Sequence, residues 1–207
     1  ITQENGDVTT LRFEDYDPLV SSYINCLNEE TGEIWRFDSS YVTFLQGKTT
    51  TYLLKTVCKV GIDEISAMSI QYNGSYNDRT LSIDTTFGVD YENKKYTCNG
   101  TDISTYGDAA LTAFQDMFSQ VSSLTYTEIQ LDSDLPENGT PSLTITYTLK
   151  DGTTRIVELV KRDDTTYWAR VDGVYTRTIV RQNALSGSGK MLEKYSELMT
   201  VISSSAS

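Results

Sequence analysis

The sequence predicts an α+β protein: two related antiparallel β units, a helix connecting them, and a C-terminal helix packed on the sheets. Three observations lead there. Short runs rich in Tyr, Thr, Val and Ile alternate with polar residues and are punctuated by Asn-Gly, Asp-Gly and Gln-Gly, which is strand composition with turn chemistry between. Two segments carry apolar residues at helical spacing. Finally, Tyr41-Val-Thr-Phe-Leu-Gln-Gly47 with Leu53-Leu54-Lys55 is echoed without a gap by Tyr167-Trp-Ala-Arg-Val-Asp-Gly173 with Ile179-Val180-Arg181, the mark of a duplicated unit.

The first, degenerate unit spans residues 1–105. Leu11 and Phe13 alternate with polar residues ahead of Pro18; Tyr23 to Leu27 and Ile34 to Phe37 follow, with a turn at Gly32 between them. The echoed hairpin turns at Gln46-Gly47. Gly61 to Ile65 reads as one helical turn at most, and strands at Met68 to Tyr72 and Thr80 to Ile83 are joined across Asn73-Gly74. The second unit, residues 106–207, opens with a helix from Asp108 to Ser122, where Leu111, Phe114, Phe118 and Val121 share a face with Ala110 and Met117. A strand from Thr127 to Leu131 precedes Pro136. Leu143, Ile145, Tyr147 and Leu149 then line one face of a period-two strand, which turns at Gly152 into Ile156 to Val160. Asp172-Gly173 is a two-residue hairpin turn, because both positions need positive φ. A helix from Lys190 onward, striped by Met191, Leu192, Tyr195, Leu198, Met199 and Ile202, closes the unit. No linker rich in Pro, Gly or Ser separates the units, so they are expected to pack into one structure.

Composition narrows the function. The chain has 207 residues, a net charge of −12, three cysteines and no histidine. That charge disfavours nucleic acid and anionic membrane surfaces, whose binders cluster Lys and Arg. Without histidine there is no Ser-His-Asp or Cys-His catalysis and no His-ligated zinc. Cys26, Cys58 and Cys98 are too far apart in sequence for a metal knuckle or a redox pair, and their disulfide state stays open. No apolar run is long enough to span a bilayer. The start at Ile1-Thr2-Gln3 fits an upstream signal or anchor segment, and fits an arbitrary boundary equally. Asn73-Gly-Ser, Asn99-Gly-Thr and Asn138-Gly-Thr match the glycosylation pattern but read better as turns.

The helix at Ala109 to Val121, the strand at Thr127 to Leu131, Pro136, the alternating strand Leu143 to Gly152, Tyr167-x-x-x-x-Asp-Gly173, the apolar Ile179-Val180 and the final helix together resemble a family of bacterial envelope domains of unknown function, catalogued as family 4340. The resemblance implies an extracytoplasmic, membrane-tethered protein of the transporter- or gliding-associated kind. It implies no catalytic residues.

Candidate chemistry is sparse. Asp132-Ser-Asp134 with Asn138-Gly139 lacks the third ligand and the closing Glu of a calcium loop; Glu14, Asp15 and Asp17, and also Asp163-Asp164, read as charged turns. Ser186-Gly187-Ser188-Gly189-Lys190 lacks the spacing of a phosphate loop. We therefore expect no catalytic, cofactor or metal site. Trp35, Trp168 and Arg170 are the candidate ligand or partner surface: Trp168 and Arg170 share a strand face opposite Tyr167, and Trp35 beside Arg36 is their counterpart in the first unit. The expected role is a non-enzymatic envelope protein, a binding or scaffolding accessory to a membrane assembly with a protein partner. The alternatives are a carbohydrate-binding module using exposed Tyr and Trp, and a hydrolase running on paired carboxylates.

Overall fold

The computed structural model describes residues 8–14, 22–38, 40–41, 54–131, 135 and 139–205, and the echoed segment from Val42 to Leu53, together with Asp15, Asp17, Pro18, Asp132, Asp134, Pro136 and Asn138, lies outside them. The chain divides into two units, Ile1–Leu54 and Lys55–Ser207. The architecture is α+β, as expected, with a three-stranded and a nine-stranded sheet, both antiparallel.

In the first unit β1 (Leu11–Phe13), β2 (Tyr23–Asn28) and β3 (Ile34–Asp38) lie in that order. Cross-strand register puts Phe13, Cys26 and Trp35 in one row and Ile24 and Phe37 in the next, so one face is apolar. Phe13 and Trp35 each meet the Phe37 ring, at centroid separations of 6.4 and 6.5 Å. Gly32, at φ 73°, makes the turn between β2 and β3, and Asn28 braces it by accepting the Glu30 and Thr31 N–H groups on Oδ1.

The second unit contains β4 (Ile65–Tyr76), β5 (Arg79–Asp90), β6 (Lys95–Cys98), β7 (Thr101–Asp102), β8 (Glu128–Ile129), β9 (Pro141–Leu149), β10 (Thr154–Lys161), β11 (Thr166–Val171) and β12 (Val174–Arg181), arranged β7-β6-β5-β4-β9-β10-β11-β12-β8. Its helices are α1 (Asp108–Ser122), α2 (Asn183–Ser186) and α3 (Met191–Ser205); the two long ones occupy the segments that apolar periodicity marks out. Strand β4, assigned by sequence to residues 1–105, is the hydrogen-bonded neighbour of β9, so the chain does not divide at residue 105. The cause is register: Met68, Ile70 and Tyr72 stand opposite Tyr147, Ile145 and Leu143, and pairing β4 with β9 continues one apolar face across both.

A four-strand meander followed by a 15-residue helix therefore occurs twice in this unit, as β4 to β7 with α1 and as β9 to β12 with α3. The likeness extends to single hydrogen bonds. Asn99-Gly100 and Asp172-Gly173 are both left-handed pairs, with φ of 48° and 84° and of 51° and 81°. Asn99 donates its N–H to Thr86 O at 2.8 Å and accepts the Thr86 N–H on Oδ1 at 3.0 Å. Asp172 makes the same two bonds with Ile156, both at 2.8 Å. This correspondence relates residues 65–122 to 141–205, whereas the echo read from sequence relates the Tyr41 segment to the Tyr167 segment. The strands that precede the two prolines pair differently: β1, ahead of Pro18, lies on β2, whereas β8, ahead of Pro136, lies on β12.

One expected turn moves. Strands β4 and β5 do not turn at Asn73-Gly74 but at Asn77-Asp78, both left-handed at φ 49° and 59°. The strand runs on through Gly74 because the Tyr72 ring lies over it, where a Cβ would collide, and Tyr72 Oη donates to Ser75 O at 3.0 Å.

All the long strands turn one face to the helices. Ile70, Tyr72, Phe87, Leu143, Ile145 and Tyr147 meet Phe114, Met117 and Phe118 of α1 and Met191, Leu192 and Leu198 of α3 in one buried cluster. Phe114 is its keystone, 5.4 Å from Phe87, 4.9 Å from Tyr96 and 6.5 Å from Phe118 between ring centroids. Phe114→Ala is expected to destabilise the unit by about 3–5 kcal/mol, transfer and cavity costs together, in urea melts; a loss below about 1 kcal/mol would mean the helix is not anchored there.

Acidic residues punctuate the turns. In Asp38-x-Ser40, Asp102-x-Ser104, Asp151-x-Thr153 and Asp163-x-Thr165 one carboxylate oxygen accepts both the N–H and the hydroxyl two residues on, at 2.6–3.0 Å. The hydroxyl first and the N–H second hold the Asp38, Asp102 and Asp151 carboxyls below the usual range. Asp163, which also accepts the Thr166 hydroxyl, is held at about 2. Folded values below the unfolded one mean that this stabilisation is complete above about pH 4 and is lost as pH falls toward about 2. Thermal melts should show Tm falling over that window, with Asp163→Asn removing part of the slope; a flat profile would contradict the assignment.

Candidate binding surface

Strand alternation that sends Ile70, Tyr72, Leu143 and Ile145 to the helices sends short polar side chains to the other face. Register orders them in rows. Thr86, Ser69 and Thr146 form one row across β5, β4 and β9; Asp84, Gln71 and Thr144 form the next, which continues through Glu158 of β10 to Arg170 of β11. No helix packs on these rows among the described residues, and Gln71, Asp84 and Thr86 are exposed. A shallow groove of about 300 Å³ opens here, lined by Gln71, Asn73, Ser82, Asp84, Ser142 and Thr144 beside Pro141. Its side chains brace one another: Gln71 Nε2 donates to Asp84 Oδ1 at 3.4 Å, and Ser82 Oγ donates to Asn73 Oδ1 at 2.9 Å.

Toward β12 the same face closes over. Val160, Trp168 and Ile179 are buried outside the main cluster, with Gly139 lying directly on Val160. Trp168 and Arg170 do share a face, as the sequence implies, but Trp168 is only 5% exposed and sits under the Arg162 guanidinium, 5.1 Å from its ring. Tyr167, on the opposite face, is buried too. Arg170 is held by Glu158 through two hydrogen bonds, Nε at 2.6 Å and Nη2 at 2.9 Å, and lies 5.6 Å from the Tyr175 ring. The Glu158 hydrogen bonds raise the pKa of Arg170 further. This pair is a brace between β10 and β11. Trp35 belongs to the first unit, where it is 38% exposed at the edge of the aromatic row on β3.

The remaining candidates resolve into structural roles. Glu14 accepts the Asn25 N–H and side-chain amide. The three cysteines are free; Cys26 and Cys98 are buried, Cys58 is half-buried beside Arg155, and burial raises all three thiols. Among the described residues no three Cys, Asp or Glu side chains converge as a metal set. The groove residues escaped the sequence reading, although Thr144, Thr146 and Thr148 interleave with the apolar residues of β9. Which polar face stays uncovered depends on where the helices land.

No family model matches the chain, no curated protein matches it in sequence, and no solved structure matches it. No helix among the described residues is long and apolar enough to cross a membrane.

Because the Glu158 and Arg170 side chains are 15% and 19% exposed, removing either partner alone leaves a poorly solvated charge. A double-mutant cycle with Glu158→Ala and Arg170→Ala should show a coupling of about 1–3 kcal/mol; additivity within about 0.3 kcal/mol would make the pair ornamental.

Proposed function

We propose that this protein is a non-catalytic binding domain of the cell envelope, an accessory to a larger membrane-associated assembly, and that the open face of the nine-stranded sheet is its recognition surface. One observation carries the reading: a broad region of the sheet face, across β5, β4 and β9, is lined by Ser, Thr, Asn, Gln and Asp84, and among the described residues no helix covers it. A sheet of this kind gains its stability from one covered face, which leaves the other free to vary and to bind. The acidic side chains support the same reading, since many are engaged in turns and ion pairs rather than facing each other across a cleft. The envelope assignment rests on the resemblance drawn from the sequence motifs.

The test is site-directed. Thr146→Arg places a long charged side chain at the centre of the open face, and Ser196→Arg places one on exposed α3. Crosslinking in the native envelope should recover a defined complex with the parent chain and with Ser196→Arg. Recovery should drop roughly tenfold with Thr146→Arg at unchanged Tm, the effect of unpaired charge at an interface. Equal recovery from all three would sink the proposal.

A further inference from the structure

We infer that the groove formed by Gln71, Asn73, Ser82, Asp84, Ser142 and Thr144 is a saccharide site. The inference rests on the binding-surface reading above and names the class of ligand that one part of the surface takes. It follows from the donor and acceptor chemistry of the groove. Among the described residues that line it the only charged side chain is Asp84, so neither a phosphate nor any other anion finds a cation among them. A single carboxylate among amides and hydroxyls is likewise a poor cage for a metal ion. What remains is a surface of mixed character: one fixed acceptor, two amides that each donate and accept, and hydroxyls that do either. A sugar hydroxyl is itself both donor and acceptor, and a run of them is met best by such a mixture.

Geometry separates a saccharide from an extended peptide. A peptide strand adds to a sheet through an unpaired edge. At the groove β4 is paired with β5 and β9, and β9 with β4 and β10, whereas β5 meets β6 only from Phe87 to Asp90, so the edge open to an added strand runs beside Ser82 and Asp84. A peptide added at that edge would lie beside β5 in the plane of the sheet, whereas the groove opens on the face and offers side chains. Two successive rungs present them, Asp84-Gln71-Thr144 and Ser82-Asn73, already oriented by the Gln71–Asp84 and Ser82–Asn73 hydrogen bonds. Preorganisation of this kind lowers the ordering cost of binding. Pro141 and the threonine methyl group give small apolar contacts suited to the C–H side of a pyranose ring. None of the described lining residues is aromatic, and Trp168 lies buried toward β12 on the same face.

The test titrates the complete chain with chitotetraose, maltotetraose and mannotetraose, followed by amide NMR shifts and calorimetry, with glycerol as the control. At least one tetrasaccharide should bind with a Kd of about 1 mM or tighter and move the amides of residues 71–73, 82–84 and 141–144. Asp84→Ala and Gln71→Ala should each weaken it roughly tenfold without lowering Tm, as expected for loss of a hydrogen bond to a charged or paired group. Glycerol producing the same shifts, affinity unchanged by Asp84→Ala, or no shift at these amides with any of the three sugars would overturn the inference. If the sugars fail while envelope capture still depends on Thr146, the saccharide falls and the binding domain stands; if both fail, the surface itself is misassigned.

Discussion

The second unit depends on the pairing of β4 with β9. Each meander has an apolar side that its four strands, some only two to four residues long, share with one helix, and the pairing makes that side continuous with its neighbour's. Setting Ile70 against Ile145, with Met68 and Tyr72 against Tyr147 and Leu143, joins the two meanders edge to edge into a single sheet. The terminal strands β7 and β8 are only two residues long, and β6 covers β5 only from Phe87 to Asp90, so the first half of β5 keeps an edge without a ladder partner among the described strands. Once the strands are joined, α1 and α3 lie side by side on the continuous apolar face, with Phe114 and Leu198 in one core.

The same junction creates the polar surface. Residues 69, 71 and 73 on β4 and 144, 146 and 148 on β9 become neighbours only because register places them there. Neither meander alone would present rows of this breadth. The chemistry of the open face is thus a product of the association that builds the core, with stability and recognition drawing on alternate residues of the same strands.

Much of this was legible in the amino acids. The boundaries of α1, the entry to α3 and the alternation of β9 followed from apolar periodicity, because one period was strong and uninterrupted in each. Asp172-Gly173 announced its turn through backbone chemistry alone. Other parts were hidden for physical reasons. Asn73-Gly74 has the look of a turn, and only the Tyr72 side chain folded over Gly74 keeps the strand straight. The short β6 and β7 carry too few residues to show a period, and their kinship with β11 and β12 rests on Asn99 and Asp172 doing one job with different side chains. Trp168 was legible as a strand residue, but its burial depends on the Arg162 and Ile179 surroundings that topology supplies. The groove was least legible of all, since polar residues on a strand carry no mark of whether a layer will cover them.

Asn99 and Asp172 make one further point when set beside each other. Both dock their hairpin onto the preceding strand through a side-chain oxygen and a backbone N–H, with nearly equal distances, yet one carries a charge and the other does not. An amide oxygen therefore satisfies such a turn as well as a carboxylate does. The chain's surplus of acids is, to that extent, uncoupled from its shape: the turns require an acceptor, not a charge. Surface potential and fold can then diverge independently over evolution, and relatives of near-neutral charge with the same meanders are physically permissible.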